Sequence, residues 1–134
     1  MNSRPAIQLV IPAAGLGSRF RITGETTPKP LIRVFGIPMA LWVIANFEVT
    51  PNDIIILICR KEDLIEELLT ESFPEISRRI KFVTIDELTD GPATTVMRAA
   101  GFFDLEMPLV VANSDQYVNT DLSEFLDMTT LGTA

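Results

Sequence analysis

The chain has no histidine, one cysteine and one tryptophan among its 134 residues. Without histidine, Ser-His-Asp and Cys-His nucleophilic mechanisms are excluded, as are the usual zinc sites. A single thiol, Cys59, provides neither an internal disulfide nor a thiolate-rich metal centre. Its place at the end of the apolar run from Ile54 to Ile58 predicts a small core residue. No run of 18 apolar residues occurs, so no membrane-spanning helix is expected. The opening Met1-Asn2-Ser3-Arg4-Pro5 lacks the apolar stretch of a signal peptide, because the run that follows it breaks at Pro12. Together these absences predict a cytoplasmic protein. Basic residues are also scarce, 11 against 18 acidic ones, for a net charge of −7. That balance argues against nucleic acid or an anionic membrane as a partner. It also requires any polyphosphate site to be locally basic or supplied with a metal. The chemistry is left to carboxylates, cations, metal and backbone.

What is present reads as one globular domain, with 47% hydrophobic and 22% charged residues. Ile7 to Ile11 is a β-branched apolar run ending in Pro12-Ala13-Ala14-Gly15, the pattern of a buried parallel strand entering a tight loop. Leu31 to Val34 reads as a brief extended segment, and Pro38 as the first residue of a helix through Phe47. Asp53 to Ile58 is a second buried strand. Glu62 to Thr70 is an amphipathic helix with Leu64, Ile65, Leu68 and Leu69 on one face. Pro74-Glu75 reads as a turn, Ile80 to Ile85 as a strand nearer an edge, and Ala93 to Phe102 as a helix. Leu109 to Ala112 is a third buried strand, and Thr120 to Glu124 opens a last helix, capped by Thr120 or Asp121. Strands alternating with helices predict an α/β domain with a mostly parallel sheet and right-handed crossovers. Ligands of such sheets bind beyond the carboxyl ends of the strands.

Four segments carry chemistry. In Ala13-Ala14-Gly15-Leu16-Gly17-Ser18-Arg19, two glycines allow backbone to approach a ligand, and successive N–H groups can form an anion-binding concavity. Arg19 adds a forked donor suited to phosphate oxygens. A dinucleotide fingerprint would need a third glycine where Phe20 stands, and a Walker loop would need Gly-Lys-Ser/Thr. In Thr27-Pro28-Lys29-Pro30-Leu31, two prolines stiffen the backbone around one lysine. Asn113-Ser114-Asp115 places a carboxylate just past a buried strand, where Mg²⁺ could be held. Thr89-Asp90-Gly91-Pro92 sets a glycine at a helix entrance, where a nucleobase could lie against it. Each segment also has a plain structural reading as a turn, a solvated loop lysine or a helix start.

In this order, AAGLGSR, TPKPL, DGPA and NSD resemble the sugar-nucleotidyltransferase family, the nucleoside-diphosphate-sugar pyrophosphorylases, over nearly the whole chain. The resemblance implies a three-layer Rossmann-like domain of the glycosyltransferase-A type. Residues 1–134 would be its N-terminal nucleotide-binding part, truncated before the sugar pocket and a second metal-binding aspartate. It implies that Ala13, Ala14, Gly15, Gly17, Ser18 and Gly91 bind a nucleoside triphosphate. Arg19 would hold the departing pyrophosphate, Lys29 the α-phosphate and Asp115 the Mg²⁺. The second substrate would be a sugar-1-phosphate or a similar phosphorylated small molecule. Asn113 to Val118, NSDQYV, resembles members associated with bacterial capsule and surface-polysaccharide synthesis. Asp86, Glu87 and Leu88 stand where family members often carry a base-contacting glutamine, which leaves base preference open. Two other readings stand beside this one: a non-catalytic nucleotide-binding module on the same fold, and a glycosyltransferase that uses a finished nucleotide sugar. The latter would carry Asp-x-Asp where Asn113-Ser114-Asp115 keeps only the second acid. Apolar surface left by truncation would admit a homo-oligomer.

Overall fold

The computed structural model describes residues 5–14, 19–22, 25–86 and 89–113, the segments 19–22 and 25–27 by their backbone alone. Strand β1 (Gln8–Pro12) is buried at every position, as its unbroken apolar character requires. The chain then forms an antiparallel ribbon of β2 (Arg19–Ile22) and β3 (Glu25–Pro28). A 3₁₀ turn over Lys29–Leu31 follows. A second ribbon, β4 (Arg33–Val34) with β5 (Ile37–Pro38), leads into helix α1 (Met39–Asn46). Strand β6 (Ile54–Arg60), helices α2 (Ile65–Ser72) and α3 (Pro74–Ser77), and strand β7 (Ile80–Ile85) come next. Helix α4 (Pro92–Arg98) then returns the chain to strand β8 (Leu109–Val111).

The main sheet has the order β7-β6-β1-β8, and all three pairings are parallel. Helices cover both faces. On one face Ile7, Leu9, Ile11, Leu57 and Cys59 pack with Leu41, Val43 and Ile44 of α1 and with Ile65 and Leu69 of α2. On the other, Val10, Ile56, Ile58 and Val83 pack with Val96 and Ala99 at α4. The α/β, Rossmann-like expectation holds. Cys59 is the core residue expected, and burial pushes its thiol up to about 12, reinforced by the negative charges of Asp63, Glu66 and Glu67.

Several local expectations are corrected. Pro38 closes β5 and precedes the helix rather than beginning it. Pro74-Glu75 opens a short helix, since proline suits a first helical position and its missing N–H is no loss there. The helix expected from Glu62 begins only at Ile65, after a 3₁₀ turn over Lys61–Asp63 and a left-handed Leu64. Leu64 therefore stands outside the helical repeat. Ile65 and Leu69 are buried, whereas Leu64 and Leu68 are 52% and 46% exposed, so the four do not share a face. The helix expected over Ala93–Phe102 ends at Arg98 and tightens into a 3₁₀ turn over Ala100–Phe102.

Two buried polar side chains fasten the sheet. The Asp53 carboxylate accepts from the N–H of Ile7 at 2.9 Å and of Thr50 at 2.7 Å, joining the start of β1 to the turn before β6. Gln8 donates to the carbonyls of Asp104 and Met107 and accepts from the Asp104 N–H, tying the loop before β8 to the sheet.

Candidate functional site

The strand order places a topological switch between β1 and β8: from β1 the chain builds outward to β6 and β7, then crosses back to the other side of β1. At such a switch, the loops leaving the two carboxyl ends diverge and open a crevice. The register extends to this edge. Val10 pairs with Val111, the Val10 carbonyl accepts from Ala112 N–H at 2.9 Å, and Ala13 N–H donates to the Ile58 carbonyl at 2.7 Å. Ala13 and Ala14 are fully buried, with Ala13 in the core beneath α1 and α2. They carry the backbone out of the sheet toward the segment Gly15, Gly17 and Ser18, which lies outside the described residues.

Arg19 is the first residue of β2, and its backbone stands opposite Pro28, the last residue of β3. Antiparallel pairing thus brings Arg19 and the following Lys29 to one end of the ribbon, although ten positions separate them. That end is five residues from Ala14, a span of at most about 18 Å of extended chain. Lys29 is half-buried within the 3₁₀ turn, whose Leu31 packs against the core and whose Lys29 carbonyl accepts from Ile32 N–H at 3.1 Å. Rigid packing behind the lysine limits the chain freedom lost when it meets an anion.

The segment Thr89-Asp90-Gly91-Pro92 joins the first directly. Thr89 N–H donates to the Ala14 carbonyl at 3.1 Å, which fastens the entrance of α4 to the loop after β1. Beneath it, Thr89 and Thr95 are buried and share a hydroxyl–hydroxyl hydrogen bond. The Gly91 carbonyl lies 3.2 and 3.1 Å from the two hydroxyl oxygens; one hydroxyl donates to the other, which in turn donates to the carbonyl, and Thr95 N–H also donates there at 3.1 Å. Gly91 itself has φ 174° and ψ −176°, an extended conformation open to any residue, and a Cβ built there would meet nothing within 4 Å. Neither strain nor packing calls for glycine. Open space over an extended backbone is what a flat ligand needs.

The β8 edge ends at Asn113, and Asp115, the expected Mg²⁺ ligand, lies outside the described residues. Among the described residues no three His, Cys, Asp or Glu side chains cluster to hold a metal. Magnesium gripped by one carboxylate and a substrate's phosphates needs no such cluster. Thr95 and Arg60 went unnoticed in the sequence, and Thr89 was read only as part of the segment around Gly91. The threonines form no recognisable spacing motif, whereas Arg60 could have been found as the charged residue that ends the longest apolar strand.

Comparison with known proteins gives the family and the fold. The family described as MobA-like NTP transferase domain matches residues 9–126. The bifunctional protein GlmU of Methanocaldococcus jannaschii is 32% identical over 117 residues, 87% of this chain and 27% of that protein. The structure of HddC from Yersinia pseudotuberculosis, complexed with GMP-PN, superposes with a TM-score of 0.69 at 25% identity, covering 92% of this chain and 54% of that one. A Bacillus anthracis protein assigned as a glucose-1-phosphate thymidylyltransferase and solved with sucrose shares the fold, with a TM-score of 0.68 at 21% identity over 94% of this chain and 50% of its own. The chain thus spans about a quarter of the curated relative and about half of these solved chains. Among the described residues no helix is long and apolar enough to cross a membrane. With β1 from Leu9 onward, the segment after it and the α4 entrance all inside the matched span, the chain belongs to the MobA-like NTP transferase domain family.

Proposed function

We propose that the chain is the nucleotide-binding part of a nucleotidyltransferase, which transfers a nucleoside monophosphate from a triphosphate to a sugar-1-phosphate and releases pyrophosphate. The observation that carries this reading is the junction at the carboxyl edge. The loop after β1 is hydrogen-bonded through Ala14 to Thr89 at the α4 entrance, beside the β1–β8 switch. The names of the relatives, a bifunctional GlmU and an assigned glucose-1-phosphate thymidylyltransferase, support the sugar-phosphate class. The NSDQYV segment supports a nucleotide sugar destined for surface polysaccharide.

The reaction is an in-line attack by a sugar phosphate oxygen on the α-phosphorus. A new P–O bond forms, the bond from the α-phosphorus to the oxygen bridging to the β-phosphate breaks, and pyrophosphate leaves with that electron pair. A phosphate monoester, with a second pKa of about 6, is already largely dianionic near neutrality, so no general base is needed. The missing histidines are no obstacle. The barrier lies in bringing two anions together, and catalysis then consists of positioning and charge neutralisation. Gly15, Gly17 and Ser18 would cradle the triphosphate, Lys29 would hold the α-phosphate and Arg19 the departing pyrophosphate. Magnesium, held by Asp115, would supply further neutralisation of the phosphate charge. Gly91 would bear the base on its open face.

The test is pyrophosphate release from the full chain, with each nucleoside triphosphate offered against a panel of sugar-1-phosphates and phosphorylated alcohols. Release that requires both substrates supports the reading. Tight triphosphate binding without release for any acceptor would convert the protein into a nucleotide-binding module.

A further inference from the structure

Arg60 ends β6 at the carboxyl edge, opposite Ile85 and two residues past the Pro12–Ile58 pair. Side chains alternate along a strand, so Arg60 shares a face with Ile56 and Ile58, the face covered by α4. That is the face on which the Thr89–Gly91 segment enters α4. The Arg60 side chain is only 15% exposed. One terminal nitrogen pairs with the exposed Glu62, while Nε is buried with no hydrogen-bond partner among the described residues. A buried charged N–H without an acceptor is costly, and an arginine kept in that position calls for something to accept from it.

Gly91 shows the same polarity. Its carbonyl is saturated by Thr89 and Thr95, whereas its N–H has no acceptor among the described residues. The Arg60 Nε–H and the Gly91 N–H are both donors. The carboxylates of Asp86 and Asp90 are exposed and solvated.

Resting on the proposed triphosphate site, we infer that Arg60 is a specificity residue that reads the nucleobase, together with the Gly91 N–H, through acceptor atoms. The matching chemistry is a base edge with two adjacent acceptors: O6 and N7 of guanine, or N3 and O2 of cytosine. Uracil and thymine interrupt their carbonyl pair with N3–H, and adenine sets a donor beside N7. Neither pattern presents two adjacent acceptors to a pair of donors.

The test is calorimetric titration of the full chain with GTP, CTP, UTP and ATP, run without acceptor so that it does not depend on turnover. Wild type should bind GTP or CTP at least about fivefold more tightly than UTP and ATP, the lower end of discrimination by a bidentate pair. The GTP and CTP arms identify which base is meant. Arg60→Gln should collapse that ratio toward one. Glu62→Gln, which removes only the ion pair, should keep it. Where turnover is found, Arg60→Gln should raise KM for the preferred triphosphate more than it lowers kcat. Tightest binding of UTP or ATP by wild type, or a ratio unmoved by Arg60→Gln, would overturn the inference. A ratio that depends on Arg60 with no pyrophosphate release would spare it while sinking the proposed reaction, and absence of all triphosphate binding would sink both.

Discussion

Gly91 separates folding from function at a single residue. Its conformation suits alanine, and the space beside it is empty. Gly91→Ala should therefore leave stability within about 0.5 kcal/mol of wild type by chemical denaturation. The same methyl would stand between backbone and base, and should raise KM for the triphosphate about tenfold, a loss of about 1.4 kcal/mol. Unchanged KM would move the base elsewhere. Lys29→Ala should lower kcat by roughly 10²-fold, the scale of a lost charge-stabilising donor, as read by pyrophosphate release. Cys59 offers a test that depends on no substrate. Its thiol is held up to about 12 against an ordinary value of 9.0, first by burial. A raised folded pKa favours the neutral thiol, so its contribution is fully present below about pH 9. As pH rises from 9 toward 12 the unfolded chain releases this proton and the native one does not, and that contribution is lost. Denaturation curves from pH 8 to 11 should fall more steeply for wild type than for Cys59→Ala, the excess approaching about 1.4 kcal/mol per pH unit.

Among the elements, the β4–β5 ribbon carries visible strain. Phe35 has φ 52° and Gly36 φ 79° between the paired Val34 and Ile37, the double left-handed geometry of a two-residue hairpin turn. Glycine and asparagine suit it. A phenylalanine that is 93% exposed gains little packing in return. Phe35→Asn should stabilise the fold by about 1 kcal/mol, measured as a rise in the urea midpoint at constant slope. The elements also show what the residues alone could reveal. Strands β1 and β6 were legible because both faces of the sheet are covered there and each reads as a continuous apolar run. β8 reads the same way but is an edge strand, with only Val110 buried and Val111 46% exposed, so the expectation of a third buried strand is corrected. The β2–β3 ribbon was not, because RFRI and ETTP lack apolar alternation; the two-residue gap at Thr23-Gly24 was its one signal. Helix α2 was misjudged at its start because Leu64 continues the apolar pattern while its backbone turns left-handed. Glycines and cations singled out the segments after β1 and around Lys29. The Thr89–Gly91–Thr95 bonds and Arg60 were not, since each depends on register and face, which no single stretch of chain encodes.

For the molecule as a whole, a net charge of −7 opposes capture of a polyanion. Triphosphate with magnesium at 100 times its dissociation constant should stabilise the fold by about 2.7 kcal/mol. Triphosphate with chelator should give far less, and a thermal-shift titration compares the two directly. Equal shifts would show that the protein's own cations suffice.

The placement of β8 also governs assembly. β1 meets β6 across some fifty residues but waits for residues 109–111 before its other flank is filled, about a hundred positions after it has left the ribosome. A nascent chain can close the β7-β6-β1 half of the sheet first, while the crevice beside β1 lacks one wall. The crevice beside β1 is therefore completed after, not with, the half of the sheet that closes first.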